Sequence, residues 1–584
     1  MVGGTFTNKR MNTLPISLTL ATLAVSLFFL GASVDFVVAK EKDMPKHKNT
    51  TKHKTLRGYF YWFVCIVALL MSLGSSLAAA AQEEEFRRGG ELHVALPFKP
   101  NHLNPAVQSG TFTGIPGSQI FASLLRVDRK WNYHPYLAEQ WKIAEDGLSY
   151  TFHLRRGATF HDGKPITSED VAFSILAVKK YHPFSSMLAV VTHIETPTPY
   201  TVVVHLKQPH PVLLLVAASP MLPIIPKHIF GNVRNLKTHP ANWKPVGSGP
   251  FQFVEFNDQK IVLERYKDFF LPGKPYLDRV VFKIMQDKTI QVAFETGLVH
   301  LQGFNSDLIA STKLAALKHI KIDYDGYAGV GPIRFLLFNL GKSPFDDLRV
   351  RQAIAYSMDR NFLAETIFKG RVPAVTGPIY PGTQFYWDDV QRYDIDIERA
   401  NKLLDEAGYL RDAKGIRFST TIDAGANQGG YYNEVFEYLR MELLRNIGVN
   451  IRIIYNKTFS DYAKRLSNRE YALAFVNYYN WGDPVIGVHR IYSSKNIRKG
   501  LMFSNMTGYR NTKVDSLLEQ AEVEMNVKKR KALYVEFQRI IAREIPAYSL
   551  MALSFATIYH QRLGGLNSSI WGTMFPYDEV YFKK

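Results

Sequence analysis

Along this chain, apolar and polar residues alternate in a series of short runs. Glu91–Leu96, Ser149–Leu154, Val202–Leu206, Phe251–Phe256 and Ile416–Asp423 each send successive side chains to opposite faces, the pattern of half-buried strands. Elsewhere apolar groups return every third or fourth position. On that spacing Ser118–Leu125, Ser168–Lys180, Asp287–Gly297, Asp394–Gly408, Tyr432–Gly448 and Lys529–Arg543 are predicted helices, three of them stopped by Gly297, Gly408 and Gly448. Asp146-Gly147, between the strands Glu139–Ala144 and Ser149–Leu154, predicts a tight hairpin. Thr167 and Asp170 stand at capping-box spacing ahead of the helix at Ser168.

One stretch breaks the alternation. Phe335–Leu340 is a short apolar and aromatic run, broken only by Asn339, and has the composition of a buried strand. A turn follows at Gly341–Pro344, then Asp346 and Asp347 where a helix N-cap belongs, then Val350, Ile354 and Met358 on one helical face. Ile416–Asp423, the helix Tyr432–Gly448 and the strand Val449–Ile454 form a strand–helix–strand order, which implies an α/β lobe with parallel pairing. A further strand, Glu470–Tyr479, runs into Tyr478-Tyr479-Asn480-Trp481-Gly482-Asp483-Pro484.

A chain of 584 residues is too long for a single core, so two or three domains are expected. Leu14–Val34 and Gly58–Ala81 are uncharged and apolar, separated by the basic stretch Lys40–Arg57, and the second ends in small residues. Residues 1–81 therefore read as an export region cleaved near Ala81, with Met44 a possible true start, and the mature chain is expected in the periplasm. Two membrane-spanning helices are the competing reading of the same runs. Cys65 is the single cysteine and falls in that region, which excludes disulfides, thiolate nucleophiles and cysteine-held metal from the remainder. Residues 1–81 carry nine Lys/Arg and three Asp/Glu, so the formal charge of +19 falls to +13 beyond them. That diffuse charge gathers into no nucleic-acid motif.

Several blocks resemble one family. Leu137–Ser174 (LAEQWKIAEDGLSYTFHLRRGATFHDGKPITSEDVAFS) is similar to the signature "LA-W-…-DG-YTF-LR-G-FHDG-P-TAEDV-FS" of the family 5 extracellular solute-binding proteins, the peptide receptors of ABC importers. Arg334–Arg360 resembles its "FN…PF-D-RVRQAI-Y-DR", and Gly89–Leu96, Pro245–Phe251 and Gly508–Leu518 match further blocks in order. The resemblance implies an α/β, two-lobed, three-domain periplasmic binding protein of class II, cluster C, with a hinge and an interlobe ligand cleft. Domain I is expected at 89–130, 244–324 and 540–584, domain II at 131–243 and domain III at 325–539. The implied function is capture of an oligopeptide-like solute by lobe closure and delivery to a membrane permease with its ATPase. The chain itself lacks a phosphate-binding Gly-x-x-x-x-Gly-Lys-Ser/Thr loop. A monomer, no nucleic acid, no cofactor and no enzyme activity are expected. The alternative is the same fold holding an opine, oligosaccharide, nickel chelate or haem, and a hydrolase is the rival from another class.

The resemblance also proposes ligand contacts. Relatives place an aspartate for a peptide ammonium near the strand end at 478–484. Here Asp483 aligns with the aspartate before proline, while Asn480 stands at the usual ammonium partner's place. Asp483 is equally suited to an Asx turn before Pro484. Trp481, Tyr478 and Tyr479 either stack on ligand or fill core, Asn339 ends the hinge strand, and Phe112 and Thr113 lie in a loop expected to face the cleft. Gly247-Ser248-Gly249 lacks nucleophile-elbow spacing, and His161-Asp162 has no nucleophile beside it. Nine of the fifteen histidines after residue 81 fall between His134 and His239, with no HExxH or HxH pair, and are expected at the surface with no metal.

Overall fold

The computed structural model describes residues 86–306, 308–425, 431–566 and 569–584. The expected export region, with Cys65 and Ala81, lies outside them. No helix among the described residues is long and apolar enough to cross a membrane.

Two lobes are built on separate sheets. The first lobe carries a seven-stranded sheet ordered Ile320–Asp323, Ala556–His560, Leu301–Asn305, Glu91–Leu96, Arg279–Ile284, Lys260–Arg265, Phe251–Phe256. It also carries a four-stranded antiparallel sheet ordered Ala138–Ile143, Ser149–Leu154, Thr201–Leu206, Val191–Thr198. The second lobe has a five-stranded sheet, Val449–Tyr455, Phe418–Ala424, Leu473–Tyr479, Pro332–Phe338, Ala547–Ala552. Phe418–Ala424 pairs in parallel with both of its neighbours, as the strand–helix–strand order required.

The mostly apolar strand is Pro332–Phe338, and all seven residues are buried, including Arg334, whose Nε–H donates to the Asn477 side-chain carbonyl at 2.8 Å. Leu336 and Phe338 pack into the core on one face, while Ile333, Phe335 and Leu337 pack into the core on the other. Each such apolar side chain contributes about 1.5–3 kcal/mol by leaving water, so two covered faces favour a largely apolar strand. The following helix, Leu348–Tyr356, starts where the carboxylate of Asp347 accepts the Arg349 N–H at 2.8 Å. The capping box at Thr167 and Asp170 is present on the helix Ser168–Tyr181.

Two expectations change. The predicted helix Ser118–Leu125 is instead Thr111–Ile120, so Phe112 and Thr113 sit in its first turn and not in a loop. Its glycines disguised it. A Cβ at Gly117 would lie 2.3 Å from Pro105 Cγ, and one at Gly114 2.7 Å from Met574 Sδ, so close packing outweighs helix propensity here. The expected return to domain I at residue 540 also moves. Ala547–Ala552 pairs with Pro332–Phe338 in the second-lobe sheet, because only there does its wholly buried strand find two covered faces. The chain re-enters the first lobe after Ala552.

Candidate functional site

The lobes are joined by two crossings. One runs between the strands Ile320–Asp323 and Pro332–Phe338, the other between Ala547–Ala552 and Ala556–His560. A clasp from the first lobe holds the first crossing: Gly329 N–H donates to the Ile570 carbonyl at 2.8 Å and Gly572 N–H to the Gly326 carbonyl at 2.6 Å. The strand end at 478–484 lies directly against this crossing. Asn480 N–H donates to the Gly331 carbonyl at 3.0 Å, and Trp481 N–H to the Val330 carbonyl at 3.3 Å. Gly331 has φ +55°, and a Cβ there would meet the Asn480 Cβ at 2.9 Å, so the contact needs glycine.

The expected contact residues divide into two groups. Asp483 is paired with Arg530, with both guanidinium Nη–carboxylate distances 2.7 Å, and it also caps the short helix at Pro484 by accepting the Val485 N–H at 3.0 Å. Burial opposes the charge on Arg530, but Asp483 and Tyr534 more than offset it and hold its pKa above the ordinary value. Asn480 accepts the Tyr380 N–H at 2.7 Å and donates to the Pro378 carbonyl at 3.1 Å. Asn339 donates to the carbonyls of Arg469 and Tyr471 at 2.9 and 2.8 Å, tying strand end to loop. Thr113 donates to the His102 carbonyl at 3.3 Å, and Tyr478 is fully buried beside Phe335.

Trp481 belongs to the other group. It leaves the second lobe in a left-handed conformation, φ +51°, which is strained for a bulky residue. Its ring meets Phe184 of the first lobe at 5.1 Å, Tyr479 at 5.9 Å and Trp571 at 6.5 Å between centroids. Gly482, at φ +80°, lets the backbone approach Leu215, where a Cβ would come within 2.7 Å. Ser109, Gly110, His182, Phe184, Met221 and Trp481 line a cavity of about 30 Å³ where the lobes meet. Phe112 pairs with Phe98 at 5.2 Å, between the cavity-lining Gly110 and Gly114 along the chain. That volume suits a water and is far below that of a peptide, so admitting a solute of that size requires the lobes to part. A larger cavity of about 380 Å³ lies wholly within the first lobe, walled by Arg126, Asp128, His134 and Glu579.

Two basic side chains contact Phe184, which lines the interlobe cavity. His182 accepts the Phe184 N–H on Nδ1 at 3.0 Å, and burial lowers its pKa to about 4, so it is a neutral wall. Arg490, from the turn of helix His489–Tyr492, lays its guanidinium over Phe184 at 4.9 Å and over Phe503 at 5.9 Å. Burial lowers its pKa to about 10, with the Tyr478 hydroxyl acting in the opposite sense. Its Nε is buried without a hydrogen-bond partner, and no carboxylate pairs with it among the described residues. Sequence reasoning missed Arg490, because a lone arginine seven residues beyond Asp483 carries no motif.

Comparison with known proteins decides the family. Residues 132–499 match the family model for the bacterial extracellular solute-binding proteins, family 5, middle region. The chain belongs to the family 5 bacterial extracellular solute-binding proteins. Among relatives of this family, "Heme-binding protein A" of Haemophilus influenzae is 27% identical over 82% of this chain and 90% of its own length. "Oligopeptide-binding protein AppA" of Bacillus subtilis is 27% identical over 81% of this chain and 88% of its own. Among solved family structures, the periplasmic binding protein DppA of Helicobacter pylori, in complex with peptide STSA, superposes with a TM-score of 0.72. It is 25% identical, covering 86% of this chain and all of that one. These family 5 relatives are named as binding proteins.

Proposed function

We propose that this family 5 protein captures oligopeptide-like solutes outside the cytoplasmic membrane and delivers them to a permease powered by a separate ATPase. One observation carries the reading. An aromatic wall from the second lobe, Trp481, meets one from the first, Phe184, beside the crossings about which the lobes would turn. Ligand that touches both walls favours the closed arrangement by its differential affinity for it. The peptide-binding relatives support the ligand class.

In this reading Trp481, Tyr479 and Phe112 form the ligand wall, and Arg490 donates charge-assisted hydrogen bonds to a ligand carboxylate. Asp483, Asn480, Tyr478, Asn339 and Thr113 hold the backbone from which that wall projects. The test is a calorimetric titration with di-, tri- and longer peptides, alongside solution scattering. Saturable binding accompanied by compaction is expected. Heat without compaction, or silence toward every peptide, overturns it. The haem-binding relative favours one second reading, and a Soret band in the purified protein would select it.

A further inference from the structure

The sheet Ala138–Ile143, Ser149–Leu154, Thr201–Leu206, Val191–Thr198 brings together three side chains that the linear sequence keeps apart. His193 and His205 stand directly opposite on the antiparallel edge pair, and Glu195 follows His193 by two positions, hence on the same face. Glu195 Oε1 lies 3.4 Å from His193 Nε2 and 3.2 Å from His205 Nε2, and all three ligand atoms fall within 4.8 Å of one another. We propose that His193, Glu195 and His205 form a zinc site on this sheet edge.

Tetrahedral zinc with bonds of about 2.0–2.2 Å sets its ligand atoms roughly 3.3–3.5 Å apart, close to the two carboxylate–imidazole distances here. The tautomer of His193 is prepared as well. The Thr192 hydroxyl donates to the His205 carbonyl at 3.0 Å, so toward His193 Nδ1, 3.2 Å away, its oxygen is left to accept. Nδ1 then carries the proton and Nε2 presents a lone pair, the arrangement that outer partners impose on metal-binding histidines. His205 Nε2 is buried and has no aligned hydrogen-bond partner among the described residues. The Nε2 atoms of both imidazoles and the Glu195 carboxylate thus gather at one spot on the sheet, an arrangement that a divalent cation satisfies. The imidazole rings lie parallel, 4.2 Å apart and 3° from coplanar orientation, and seating the ion tilts them toward each other by rotation about χ2. Two imidazoles and one carboxylate suit zinc and its borderline neighbours over calcium or magnesium, and water completes the fourth position.

The experiment uses untagged full-length protein stripped with EDTA and titrated with zinc chloride in a calorimeter. One equivalent of zinc is expected to bind. His193→Gln, Glu195→Gln and His205→Gln are each expected to weaken it at least tenfold, with unchanged circular dichroism. Cobalt substitution gives a second readout, the intense visible bands of a tetrahedral site, lost in the triple variant. No binding by the parent protein, or equal binding by the triple variant, overturns the proposal.

Discussion

Two arginines of the second lobe, both largely withdrawn from water, have opposite surroundings. Arg530 is gripped by both oxygens of Asp483, donates its Nε–H to the Ala521 carbonyl at 2.8 Å and lies over the Phe385 ring at 4.8 Å. Arg490, seven residues after Asp483, lies over the Phe184 and Phe503 rings, with no carboxylate paired to it among the described residues. A satisfied buried pair fixes local structure, because removing either partner strands a charge. A cation without a carboxylate partner, packed on a ring that lines the interlobe cavity, has capacity to spare for a visitor. The contrast separates scaffold from site, although both arginines carry the same chemistry.

The largest test of that contrast is Asp483→Ala. Loss of about 3–5 kcal/mol in urea-denaturation stability is expected, since Arg530 is then buried alone. The double variant Asp483→Leu/Arg530→Met should recover much of it. If Asp483→Ala lost ligand affinity while keeping its stability, the scaffold assignment would be wrong. Next is Arg490→Met, for which peptide affinity in calorimetry should fall by roughly 10- to 150-fold, equivalent to about 1.5–3 kcal/mol, with no loss of fold stability. Unchanged affinity for carboxylate-bearing peptides would remove Arg490 from the site.

Asn480→Ala deletes the two hydrogen bonds that hold Pro378 and Tyr380, and a cost of about 1–3 kcal/mol in melting experiments is expected. A smaller effect comes from buried histidines. Burial lowers His210 and His182 from 6.5 to about 4. Their folded-state pKa lies below the unfolded one, so the unfolded chain binds more protons in between. Stability is therefore full above about pH 6.5 and is lost as pH falls toward 4. From about pH 7 to about pH 6 each histidine should cost about 0.7 kcal/mol, and His210→Gln should flatten the slope by that amount.

Much of this architecture was legible beforehand. Ser149–Leu154 and Phe251–Phe256 appear with the predicted bounds, and Asp347 caps the helix it was expected to cap. The helix Thr111–Ile120 was hidden because glycines and Pro116 signal loops locally, and only contact with Pro105 and Met574 explains them. The strand Ala547–Ala552 had a legible type but not a legible owner.

The candidate site was far less legible. Residues 478–484 marked the right place, yet partners distant in sequence, Arg530, Pro378 and Tyr380, changed what Asp483 and Asn480 do there. Arg490 and the His193–Glu195–His205 cluster left no trace in linear spacing, since cross-strand neighbours and interlobe contacts are set by register and closure. By itself, the sequence determined periodicity, turns, caps and family membership, because these follow from local sterics and from the burial each short segment requires. Tertiary structure alone decided which polar groups are satisfied and which remain open. That depends on partners tens to hundreds of residues away, and a charge is scaffold or site according to whether such a partner reaches it.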